Sequence, residues 1–129
     1  MEEEGTVSVW IGRAVGETEW AKAIEIETSL DGETWGSPFT RAFGIDFYDD
    51  DFQEAMYYPR GRARLDLFLQ GVSYADQVIP QIEQLDHKHT PDDNCFVLLY
   101  NFNYSNGAQK WESEDVALRF VGKVAYTHR

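Results

Sequence analysis

The stretch FGIDFYDDDFQEAM, residues 43–56, gathers five carboxylates (Asp46, Asp49, Asp50, Asp51 and Glu54) among four aromatic rings, with no basic residue. Three chemistries would use such a run. Consecutive aspartates can hold a hard cation, although the EF-hand pattern is excluded because the acidic spacing is wrong and its glycine is absent. A pair of carboxylates works as acid and base only where an apolar pocket raises the pKa of one of them, and three adjacent acids must point in different directions. The third chemistry is recognition. Exposed Tyr and Trp side chains anchor binding energy, and carboxylates set the encounter rate with a basic partner. On that reading Tyr48, Tyr57 and Tyr58 are the anchors and the five acids steer. A purely structural account competes with it. Asp51 and Glu54 have the spacing of a capping box, and Arg60, Arg62 and Arg64 in RGRAR follow closely enough to fold back and neutralise the rest.

Other chemistry is sparse. GVSYA lacks the closing glycine of a nucleophile elbow, and Ser73 within it reads as a helix cap. No glycine-rich phosphate loop is present. His87 and His89 in DHKHT, with Asp86 and Asp92, could contribute to a metal site. Joined to the Asp49–Asp51 cluster they would make a small metal-dependent hydrolase. No third histidine lies nearby and His128 is at the C-terminal end, so DHKHT reads as a surface loop. Cys95 is the only cysteine, which rules out an intramolecular disulfide and a thiolate zinc framework. Within CFVLLY it reads as a buried, inert thiol. No catalytic residue, metal or cofactor is expected.

The elements that must position these residues follow from pattern. The 129 residues suit one domain spanning 1–129. TVSVWIG (6–12) alternates as a strand ending at Gly12, with Val7, Val9 and Ile11 on one face and Trp10 on the other. TEWAKAI reads as a helix capped by Thr18, IEIET as a short strand, and Asp31-Gly32 as a turn. In SPFTRAFG, Ser37 caps a helix, Pro38 suits its first position and Gly44 its left-handed close. Pro59 ends whatever FQEAMYY forms. RARLDLFLQG puts Leu65, Phe68 and Leu69 on a helical stripe stopped by Gly71. A second helix starts at Ser73, carries Asp76 in its first turn, and is expected to kink or split at Pro80. NCFVLLYNF is the central strand, Asn106-Gly107 signals a hairpin or tight turn, and VALRFVGKVAY alternates Leu118, Phe120, Val124 and Tyr126. The expected fold is α/β (α+β), a single layer of about four strands with helices packed against it.

Charge narrows the function. Eleven Lys and Arg against 23 Asp and Glu give a net charge of −12, which argues against nucleic acid and anionic membrane and favours capture of a basic partner. MEEEG has the wrong charge for a signal peptide, and the longest apolar run, CFVLLY, is too short to span a bilayer. A cytoplasmic location is expected.

VSVWIG, SPFTRAFGIDFYDDDFQEA, GVSY and VLLYNF, in that order from Val7 to about Phe102, resemble the bacterial immunity protein 22 family of polymorphic toxin systems. The resemblance implies a non-enzymatic cytoplasmic α/β protein, encoded beside a secreted or contact-delivered toxin, that binds and silences that toxin, often a nuclease, in the producing cell. It implies structural roles for Trp10, Gly12, Phe43, Gly44, Gly71, Ser73 and Tyr74, and makes the Asp49-to-Glu54 region the best functional candidate. The toxin-binding set expected is Asp46, Tyr48, Asp49, Asp50, Asp51, Glu54 and Tyr57. A non-catalytic scaffold protein and the metal-dependent hydrolase are the alternatives.

Overall fold

The computed structural model describes residues 1–128. In chain order its elements are β1 (Glu2–Ala14), α1 (Glu17–Ile24), the short pair β2 (Glu27–Thr28) and β3 (Trp35–Gly36), and α2 (Pro38–Phe43). A 3-10 turn (Asp50–Phe52), β4 (Gln53–Tyr57), α3 (Leu65–Phe68), α4 (Ala75–Leu85), β5 (Cys95–Phe102), β6 (Lys110–Glu112) and β7 (Val116–Ala125) follow. Five strands form one antiparallel sheet in the order β4-β5-β1-β7-β6. The fold is mixed α+β, with one more strand in the sheet than the pattern suggested. IEIET went to the separate β2-β3 hairpin, while QEAMY and KWE, too short and too polar to read as strands, became the sheet edges.

Each face of the sheet buries its own core. Val7, Val9 and Ile11 of β1 pack with Phe96 and Leu98 of β5 beneath Phe68 of α3 and Val78 and Ile82 of α4. Trp10 points the other way. It is fully buried among Phe39, Phe43, Tyr104 and Phe120, whose ring centroids lie 5.0 to 5.7 Å from its own. Truncating such a ring typically costs about 3–5 kcal/mol.

Two irregularities set which side chains reach which core. The β1-β7 register slips by one residue between Val9 and Trp10, at Gly122, whose φ of 142° belongs to glycine. That bulge flips β7: Leu118 and Phe120 join the Trp10 layer, while Val124 and Tyr126 join the α4 layer. Sequence alternation alone placed all four on one face. Asn101, at φ 59°, does the same in β5, so Tyr100 and Phe102 face opposite ways. Gly12 lies inside β1, which runs on to Ala14. A Cβ there would meet the Ala117 carbonyl oxygen at 1.9 Å, so close strand approach, not strand termination, requires the glycine.

The helix signals in the sequence are met at α2 and not at the starts of α1 and α4. α2 forms as its sequence predicts, with Ser37 and Thr40 in a reciprocal capping box, Pro38 leading, and Gly44 closing at φ 67°. Elsewhere the caps differ. α1 begins after Gly16 with Thr18 already inside it, and its first turn carries Glu17 and Glu19, which suit the positive helix end. α4 begins after Tyr74 rather than at Ser73. Pro80 does not break α4, which runs continuously. Pro80 is exposed, so water can replace the hydrogen bond it removes while Val78, Ile79 and Ile82 hold the buried side. Asn106-Gly107 forms a bend, not a hairpin. The Asn106 amide donates to the carbonyls of Phe43 and Gly44, closing the end of α2.

Candidate functional site

The acidic run is the connection between α2 and β4. Asp49 caps the 3-10 turn, its Oδ1 accepting from the Asp51 backbone N–H at 3.0 Å. The Asp51-Glu54 capping box is not formed, because Glu54 already lies in β4, where its Oε1 accepts from the Ser73 backbone N–H at 2.8 Å. Ser73 is thus held by Glu54 instead of capping α4. Asp46, Asp49, Asp50 and Asp51 are all exposed.

The arginines do not fold back. Arg64 pairs with Asp66 at 2.6 Å, and the Arg62 guanidinium lies over the Tyr58 ring at 4.8 Å. Among the described residues no ion pair joins Arg60, Arg62 or Arg64 to the run. Carboxylate oxygens of Asp49, Asp50 and Asp51 can be chosen within 4.8 Å of one another. Three solvated acids on one turn need no ion to explain them.

The aromatic residues sort differently from expectation. Tyr48 is 4% exposed: its ring packs edge-on against Trp35 and Phe102, and its hydroxyl donates to the Gln53 side-chain carbonyl. Burial, with the Asp50 charge adding to it, pushes this phenol well above its ordinary value. It is a core residue beneath the acidic turn and presents no ring to solvent. Tyr57 and Tyr58 are half-buried. The rings that do reach solvent are Phe47, 65% exposed and tilted against Trp35 with ring centroids 5.0 Å apart, and Phe52, 43% exposed. The sequence contains no signal that separates them from core phenylalanines. Both line a cleft of about 150 Å³ with Glu2 and Asp49 also in its wall. Phe52 also borders a second cleft, of about 440 Å³, carrying Glu4, Asp51 and Glu54. Phe52 therefore stands between two apolar hollows walled partly by carboxylates.

The histidine loop holds a buried charge cluster that sequence reasoning saw only in part. Arg119 of β7 reaches Asp86 with Nε and Nη2 (3.2 and 2.8 Å) and Asp93 with Nη1 and Nη2 (both 3.0 Å). Asp86 and Asp93 are 8% and 7% exposed. Burial alone would lower the guanidinium pKa, but the hydrogen bonds it donates to Asp93 and Asp86, with their charges, outweigh that and raise it. His89 completes the cluster. Its Nδ1 meets Asp93 at 2.9 Å and its Nε2 meets the Arg62 carbonyl at 2.6 Å. Its side chain is only 5% exposed, so this is no surface-loop histidine. Both ring nitrogens are engaged, so a metal would have to displace one of these partners. Asp93 and Arg119 were missed because nothing in their spacing ties residues 26 apart, whereas Asp92 and His87, both noted in the sequence, are exposed. Cys95, beside this cluster in the chain, is fully buried, and burial, with the Asp93 charge adding, pushes its thiol up, as suits an inert group.

Among the described residues no helix is long and apolar enough to cross a membrane. No curated protein and no solved structure matches the chain. A family model described as Immunity protein 22 matches residues 7–127. The match takes in the Trp10 strand, the acidic turn and the α4 layer, and continues past Phe102 through β6 and β7, where the resemblance in the sequence had faded. The chain belongs to the Immunity protein 22 family.

Proposed function

We propose that this protein neutralises a cognate protein toxin by binding it, in the cytoplasm of the cell that makes both, and that the acidic turn is the face that meets the toxin. The observation that carries the reading is the state of Asp46, Asp49, Asp50 and Asp51: all exposed, none in an ion pair among the described residues, and set beside the exposed rings of Phe47 and Phe52. Charge without an internal partner attracts an external one. Rings that need not be dragged out of a core can then be desolvated on contact. A nuclease is the toxin class that best suits this face, because an enzyme acting on phosphodiesters carries a basic surface, and a chain of net charge −12 complements it.

The residues expected at the face divide by role. The four aspartates project to the partner, and Phe47 and Phe52 take the anchoring part first given to tyrosines. Tyr57 lies half-buried at the end of β4, Glu54 holds Ser73, and Tyr48 supports the turn from beneath. The test is stopped-flow association of the toxin domain encoded beside this gene with the wild type and with Asp49→Asn/Asp50→Asn/Asp51→Asn. The triple variant should associate roughly tenfold more slowly at low salt, with a flatter salt dependence and an unchanged melting temperature. An unchanged on-rate removes the acidic turn from the interface.

A further inference from the structure

One edge of the sheet adjoins the acidic turn and, among the described residues, has no strand beyond it. β4 pairs with β5 alone, from Gln53 opposite Leu99 to Tyr57 opposite Cys95. The Tyr58 N–H donates to the Asn94 carbonyl at 2.7 Å. In an antiparallel ladder, hydrogen-bonded positions alternate. Tyr58 therefore fixes Met56 and Glu54 as the residues whose backbone faces β5, and turns the backbone of Gln53, Ala55 and Tyr57 outward. The Gln53 N–H is taken by the Asp50 carbonyl of the 3-10 turn. Among the described residues, the N–H and C=O of Ala55 and Tyr57 and the C=O of Gln53 have no partner outside the sheet. Five outward groups in register are what an added strand uses.

We infer that β4 is the docking edge for an extended, basic segment of the toxin, which adds to the sheet as a sixth strand with its Lys or Arg side chains against Asp49, Asp50 and Asp51. Charge selects the occupant. A second copy of this chain, net −12, is repelled at such an edge, whereas a basic strand is drawn to it. Acidic flanks are also how an open edge avoids self-pairing. This inference rests on the toxin-binding reading and adds to it a binding mode: backbone pairing along β4, with the acidic turn setting which strand is admitted.

Amide hydrogen exchange on the protein, free and with the catalytically inactive toxin domain encoded beside this gene, tests it. In the free protein the Ala55 and Tyr57 amides should exchange readily and the Met56 amide slowly. In the complex the first two should slow by roughly tenfold or more, as amides entering a ladder do. Ala55→Pro removes an outward donor where an edge strand tolerates proline. It should weaken toxin binding about tenfold while Met56 stays protected, and if this variant does not fold, the exchange measurement on the wild type still decides. A toxin that binds without slowing Ala55 and Tyr57 overturns the edge and leaves the acidic face standing. Absence of toxin binding overturns both. Protection that appears in the protein alone, with a doubled mass in sedimentation, makes a second copy the occupant and overturns the choice of a toxin strand.

Discussion

Replacing Arg119 by Leu should be the most damaging single change outside the aromatic core. The guanidinium makes four hydrogen bonds, of 2.8 to 3.2 Å, to two carboxylates that are 8% and 7% exposed. Hydrogen bonds to charged groups contribute about 1.5–3 kcal/mol each, but a sum over four overshoots, because the pair also carries a desolvation cost. Removing one partner of a buried pair costs about 3–5 kcal/mol, most of it from the charge left behind. Here Asp93 retains its contact with His89 while Asp86 loses the one ion pair it makes among the described residues, so a loss of about 4 kcal/mol at pH 7 is expected. Urea unfolding followed by tryptophan fluorescence measures it as a lower midpoint at unchanged slope. Asp86→Asn in the Arg119→Leu background should recover part of the loss at pH 7. A deficit under about 1 kcal/mol would refute the claim that this cluster pins the 86–93 loop to β7.

Three further outcomes follow from the geometry. Gly12→Ala should cost about 3 kcal/mol in urea unfolding, because its Cβ would lie 1.9 Å from the Ala117 carbonyl oxygen and backbone must move; a neutral result would mean the strands are further apart than described. Phe52→Ser should leave the melting temperature unchanged, since the ring is exposed, yet weaken toxin affinity roughly tenfold as measured by calorimetry; unchanged affinity would take Phe52 out of the interface. Burial raises the phenol pKa of Tyr48 and Tyr100, so the stability they contribute is full below the unfolded value of about 10 and is lost as pH climbs above it. Ultraviolet titration should show both ionising only as the chain unfolds, and their titration near pH 10 in a folded protein would contradict the burial.

How much of this was legible in the sequence depended on whether the signal was local. The capping of α2 was, because Ser37, Pro38 and Gly44 act within one turn. The two faces of β1 and the burial of β5 were legible too, since period and apolar run length report them directly. What failed was long-range. Ser73 has the type of a cap, but Glu54, 19 residues away, takes its N–H. The β7 alternation looked continuous because a bulge is set by the partner strand, and only Gly122 hints at it. At the candidate face, the acids were recognisable from composition alone. Which rings accompany them was not, since Tyr48 and Phe47 are neighbours in the chain and differ only in the side of the turn they occupy.

The most direct test of the account is survival. Cells expressing the toxin domain encoded beside this gene should be rescued by this protein, and not by an unrelated acidic protein of equal net charge. Rescue lost in the Asp49→Asn/Asp50→Asn/Asp51→Asn variant at unchanged protein level would tie immunity to the acidic turn. No rescue by the wild type, with no complex on a sizing column, would contradict the central claim that this chain silences its toxin by binding it.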